Sequence, residues 1–195
     1  MRRSIALVAG LTLLAASPLA AHEGGTAAGL LSGLYHPISG LDHVLAMVAV
    51  GIWGAQLGPP AIWVLPVTFP AVMAFGGMLG LLGVPIPGVE VAIGLSALLL
   101  GTMVALERRP SLVVAGALVA FFAIFHGHAH GAELPEGQSG LAYSIGFVAS
   151  TGTLHGLGIT LGLAHRWERG RLALRAAGTW IALAGAWFVW SAVSG

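Results

Sequence analysis

The chain has 195 residues, 57% of them hydrophobic and 8% charged, with a formal net charge of +1 and a mean hydropathy of +0.92. Soluble domains carry about 25% charged residues, and one soluble core could not hide this much apolar surface, so lipid must solvate most of it. There is no Lys, which removes the P-loop lysine of the simplest in-chain ATPase; there is no Cys, which removes disulfides and thiolate metal sites; and nothing in the charge pattern suggests nucleic acid.

Residues 1–21 read as a secretory signal: Arg2 and Arg3 form a basic start, Ile5 to Ala16 an apolar stretch too short to span, and Ser17-Pro18-Leu19-Ala20-Ala21 a small-residue exit. Cleavage after Ala21 would leave His22-Glu23 as a new N-terminus, whose amine and imidazole can chelate a divalent metal; the plainer reading is an ordinary residue after a cleavage site. Residues 27–35 read as a short surface helix ending before Pro37. The remainder, within a single helical domain over 22–195, gives apolar segments at about 41–58, 60–83, 87–106, 111–128, 139–165 and 174–193. Each is near the roughly 20 residues that a bilayer requires. The expected fold is therefore all-α, a polytopic membrane protein with six transmembrane helices after signal removal.

Arginine placement orients these spans. With the mature N-terminus and the C-terminus outside, on the periplasmic face of an inner membrane, Arg108, Arg109, Arg166, Arg169, Arg171 and Arg175 all fall inside. The same orientation puts His36, Asp42, His43, Glu90, His126, His128, His130 and Glu133 at the outer ends of their helices. Gly spacings such as Gly76/Gly80 and Gly158/Gly162 suit close helix packing in lipid. Pro66 and Pro70 predict a kink in the second span, with Phe69 between them as either a constriction or a packing aromatic.

Two constellations carry chemistry. In the first, His36, Asp42 and His43 lie at the threshold of an apolar span, where a charge is costly; the plainer reading is that His36 and Asp42 cap a helix. In the second, Phe125 to Glu133, the residues His126, His130 and Glu133 follow i, i+4, i+7 and form one polar stripe on a helix, with His128 pointing away. Imidazole suits nickel, copper and zinc, and added carboxylate permits a harder site; a loose His-rich metal collector is the alternative. Glu90, the only acid between Asp42 and Glu107, is either a site carboxylate or a first-turn acid favoured by the helix dipole. His155, well inside a span, is either a lower metal station near Thr151 and Thr153 or a neutral His bonded to a helix carbonyl.

Gly137-Gln138-Ser139-Gly140 matches the GxSG of rhomboid proteases, but Ser139 starts a helix at the outer surface and no His follows His165, so we discount it. The reading from residues is a membrane protein that takes up a divalent metal through an outer cluster. Integral-membrane metal-dependent hydrolase and membrane metal sensor are the rivals.

The run His36-Pro37-x-x-Gly40-x-Asp42-His43-x-x-Ala46-Met47-x-x-Val50-Gly51 resembles the signature of the HupE/UreJ family of bacterial nickel/cobalt permeases, and Phe125-His126-Gly127-x-Ala129-His130-Gly131-x-Glu133 resembles that family's second motif. The resemblance implies a permease rather than an enzyme, without a prosthetic group, whose cargo is Ni²⁺ or Co²⁺ for hydrogenase or urease maturation. It implies His36, Asp42, His43, His130 and Glu133 as transport residues, with the lipid bilayer, the metal ion and cytoplasmic nickel chaperones as partners.

Overall fold

A computed structural model describes residues 20–195 apart from Pro135, with side chains from Gly25 onward. Residues 1–19 of the expected signal and the His22 side chain therefore lie outside the described residues. Among the described residues seven α-helices follow in order: α1 (Ala20–Ser39), α2 (Leu41–Leu57), α3 (Ala61–Leu81), α4 (Val89–Ala105), α5 (Leu112–Ala132), α6 (Gly140–Gly162) and α7 (Glu168–Ser194), with a 3₁₀ turn, Leu163–Arg166, between the last two. No strand occurs among the described residues.

Local chemistry sets the boundaries. Ser111 and Ser139 cap α5 and α6, their hydroxyls accepting from the Val114 and Ala142 amides, which satisfies donors that a helix start leaves open. Ser139 thus serves as a helix cap. Gly58 (φ 78°) and Gly88 (φ 71°) supply the left-handed backbone that ends α2 and precedes α4.

α2 is the hub. Ala46, Met47 and every residue from Ala49 to Gln56 are buried, because α6, α4 and α3 surround it. The other helices pair off around this hub, α4 with α7, α3 with α5, and α1 with α6. Glycine permits the tightest of these approaches: a methyl group on Gly127 or Gly131 would collide with the Met73 or Gly77 carbonyl of α3. Outward-facing apolar residues, among them Trp63, Val113, Leu141, Trp180 and Trp190, are exposed, as expected for surfaces that face lipid.

Three expectations change. The short surface helix over 27–35 is a 20-residue helix that runs through Pro37 and packs on α6. One proline removes a single backbone bond, and the close fit of Gly33 against the Tyr143 carbonyl, with Gly146 against Leu30, offsets that loss. The spans are also less uniform than six equal segments. α3, α5, α7 and α6 with its 3₁₀ turn are each long and apolar enough to cross a membrane; α1 and α2, bent by 80°, together make a fifth, and α4 is a shorter apolar helix of 17 residues. Lastly, α5 continues to Ala132 and α7 starts at Glu168, so the histidine tract is helical throughout.

The arginines gather at the end opposite that tract. Arg171 grips Glu107 through two nitrogens at 3.2 and 3.0 Å, Arg175 donates to the Ala105 carbonyl at the C-terminus of α4, and the Trp53 indole donates to the Arg108 carbonyl. A cation beside a helix C-terminus is favoured by the helix dipole.

Candidate metal centre

The 80° break between α1 and α2 builds the first half of the site. His36 sits in the last turn of α1 and His43 in the first turn of α2, with Gly40 as the N-cap between the helices. A Cβ at Gly40 would stand 2.8 Å from Asp42 Oδ1 and 3.1 Å from His43 Nδ1. Gly40 has an ordinary extended backbone (φ −98°), so what its lack of a side chain gives here is room for that pair.

The second half comes from the end of α5, where His126 (0% exposed) and His130 (3%) lie one turn apart and Glu133 caps the helix. The two halves interlock. His36 Nε2 is 3.0 Å from Glu133 Oε2, and ligand atoms of His36, His130 and Glu133 all lie within 4.8 Å of one another. The His36 and His130 rings are 4.6 Å apart between centroids, His130 and His43 4.5 Å, and His43 and His126 4.7 Å. Four imidazoles from three helices therefore form a continuous series that starts at the half-exposed Glu133–His36 pair and ends at a fully buried ring.

Hydrogen bonding fixes how two of these rings present themselves. Asp42 Oδ1 lies 2.8 Å from His43 Nδ1 and also accepts the His43 backbone amide. The carboxylate has no proton to give, so Nδ1 donates and Nε2 keeps the lone pair. At His126, the Ser96 hydroxyl donates to the Ile93 carbonyl at 2.6 Å and so must accept from His126 Nε2 at 2.9 Å, leaving Nδ1 as the lone-pair nitrogen. Both of those lone-pair nitrogens, and both nitrogens of His130, are buried without a hydrogen-bond partner. Leaving a buried polar atom unpaired costs roughly 1–3 kcal/mol. A soft-to-borderline divalent cation is the species that such a set of neutral nitrogens and flanking carboxylates would satisfy.

The remaining expected residues fall around this series. Asp42 orients His43 in the carboxylate–histidine manner common at metal sites and is not among the three grouped ligands. His128 points away from the stripe, its Nε2 lying 2.7 Å from the Val84 carbonyl. Glu90 is exposed on the first turn of α4 and is not in the grouped ligand set. His155, 1% exposed, has neither ring nitrogen hydrogen-bonded. His165, in the 3₁₀ turn, has its Nδ1 2.8 Å from the Gly162 carbonyl.

Sequence reasoning missed Ser96, Tyr143 and Phe147. Phe147 packs its ring 4.2 Å from His130 and stacks on Tyr143, whose own ring is 5.9 Å from His36. The Tyr143 hydroxyl is buried and unpartnered. A cavity of about 260 Å³ opens beside His130 between α3, α5 and α6, walled by Met73, Gly127, Tyr143 and Phe147 among others, which leaves space next to the most enclosed of the three grouped ligands.

The sequence model of the family described as HupE / UreJ protein matches residues 10–188 of the chain. Protein HupE of Rhizobium leguminosarum bv. viciae is 49% identical over 166 residues, covering 85% of this chain and 87% of that relative. No solved structure matches.

Proposed function

The chain belongs to the HupE/UreJ family, and from that premise we propose that it is a permease carrying a divalent transition metal, Ni²⁺ or Co²⁺, from the periplasm to the cytoplasm for hydrogenase or urease maturation. In this reading residues 1–21 are removed as a signal, six helices span the inner membrane with both termini outside, and the ion is cargo rather than a resident cofactor. Cytoplasmic nickel chaperones receive it.

The observation that carries the proposal is the burial gradient along the imidazole series. Glu133 and His36, with side chains 56% and 27% exposed, meet the hydrated ion; His130 and His43 replace its water; His126, fully buried, takes it into the bundle. Glu90, exposed on the first turn of α4, and His22 at the processed N-terminus add ligands or negative charge to the mouth in this reading. A hydrolase needs one fixed ion with an open position for water, whereas a graded series of neighbouring ligands suits an ion that binds and then leaves. Because imidazole must be unprotonated to bind metal, uptake weakens in acid.

The test is uptake of radioactive nickel by proteoliposomes alongside nickel binding to the purified protein. The permease moves metal across the bilayer. A hydrolase or a sensor binds it and moves none.

A further inference from the structure

Below the outer cluster lies a second set of polar groups that the uptake site does not use. His155 on α6 is 1% exposed and neither ring nitrogen has a partner; Thr151, one turn earlier on the same face, is 0% exposed and its hydroxyl is unpartnered as well. The alternative of a neutral His bonded to a helix carbonyl is met in part: the Pro66 carbonyl of α3 approaches the His155 ring as a hydrogen-bond acceptor. That approach does not reach full hydrogen-bond geometry, so both ring nitrogens stay without a closed bond. Pro66 O has lost its own helical donor because Pro70, four residues on, has no N–H.

Depth distinguishes this set from the outer one. The His155 backbone packs directly on Gly51 of α2, eight residues below His43 and hence about 12 Å further into the bundle along that helix. Phe69, the residue between the two prolines of α3, connects the levels. It is 0% exposed, with its ring 5.3 Å from His126 and 5.4 Å from His155. An aromatic ring thus touches the last imidazole of the outer series and the isolated imidazole beneath it.

We propose that His155, the Thr151 hydroxyl and the Pro66 carbonyl form an inner acceptor station for the divalent cation, reached from His126 past the Phe69 ring. This rests on the permease reading above and extends it from one site to two. A single imidazole with two neutral oxygens is a weaker site than the carboxylate-rich mouth, which is what onward release requires.

The experiment compares wild type with His155→Leu, His155→Asn and Thr151→Val, each purified and reconstituted, and reads both nickel uptake and nickel binding stoichiometry. Removing unpartnered buried polar atoms is not expected to harm folding, and retained binding at the outer cluster verifies this for each variant. The station predicts that His155→Leu loses tenfold or more in uptake rate at saturating nickel and Thr151→Val several-fold, with outer-site affinity unchanged. Wild-type uptake rates in a folded His155→Leu protein would overturn it. Should wild type bind nickel yet carry none, the permease reading fails, and stoichiometry then decides the station alone: His155→Leu losing a bound equivalent supports it, and unchanged stoichiometry refutes it. If His155→Leu misfolds, the same readouts on His155→Asn and Thr151→Val decide.

Discussion

The imidazole of His43, in the first turn of α2, stands 4.5 Å between centroids from that of His130, in the last turn of α5, the two rings tilted by 59°. This contact joins the two histidine motifs of the chain into one cluster.

His130 touches three rings, those of His36, His43 and Phe147. His130→Ala is expected to weaken nickel binding by at least tenfold, equivalent to about 1.4 kcal/mol, and to reduce uptake at least as much. Equilibrium dialysis with radioactive nickel checks the first effect and proteoliposome uptake the second. Binding within twofold of wild type would remove His130 from the site.

Asp42 acts through His43. Asp42→Asn keeps the shape but gives up the charge that holds the His43 tautomer, and outer partners of this kind typically contribute 10–100-fold to metal affinity. Gly40→Ala should show a milder form of the same defect, because its methyl group would press on Asp42 Oδ1 and His43 Nδ1. Both variants should keep the wild-type melting temperature in detergent within a few degrees while losing nickel affinity. A fall in stability without a change in affinity would make this segment structural only.

Gly131 lies where α5 meets the Gly77 carbonyl of α3. Gly131→Leu forces these helices apart and is expected to cost about 1–3 kcal/mol or more, seen as a lower melting temperature and reduced yield. Gly152→Ala, at a position where an added Cβ meets nothing within 4 Å, should melt like wild type and serves as the control.

Hydrogen bonds from the Arg171 guanidinium hold the Glu107 carboxyl below the usual carboxylate range. A group whose acidity is raised by folding contributes stability above its unfolded value and loses that contribution as pH falls through its folded value. Glu107→Gln should therefore melt slightly lower than wild type at neutral pH, and the two curves should converge in acid. The effect is small because Arg171 is 56% exposed and water screens the pair. A gap that persists unchanged into acid would assign the loss to packing.

The two histidine motifs were legible because strong metal ligands beside apolar spans have few structural uses. His126 and His130 share a stripe, and His128 leaves it, as helical spacing requires. The division of labour was not legible. Spacing puts Asp42 beside His43 but does not show that the acid turns the ring rather than joining the grouped ligands. Ser96, Tyr143 and Phe147 carry no motif, since a Ser, a Tyr or a Phe in an apolar helix is ordinary, and only packing brings them to the rings. Pro37 misled the reading of the first helix because proline statistics describe isolated segments, whereas this helix is held by its glycine face on α6.

X-ray absorption at the nickel edge of the loaded, purified protein tests the central claim most directly. An ion held by the His36–His130–Glu133 mouth will show scattering from at least two imidazoles together with carboxylate oxygen, and in the His36→Ala/His130→Ala double variant the imidazole signal will fall away. An unaltered imidazole signal in that double variant would place the metal elsewhere and contradict the account.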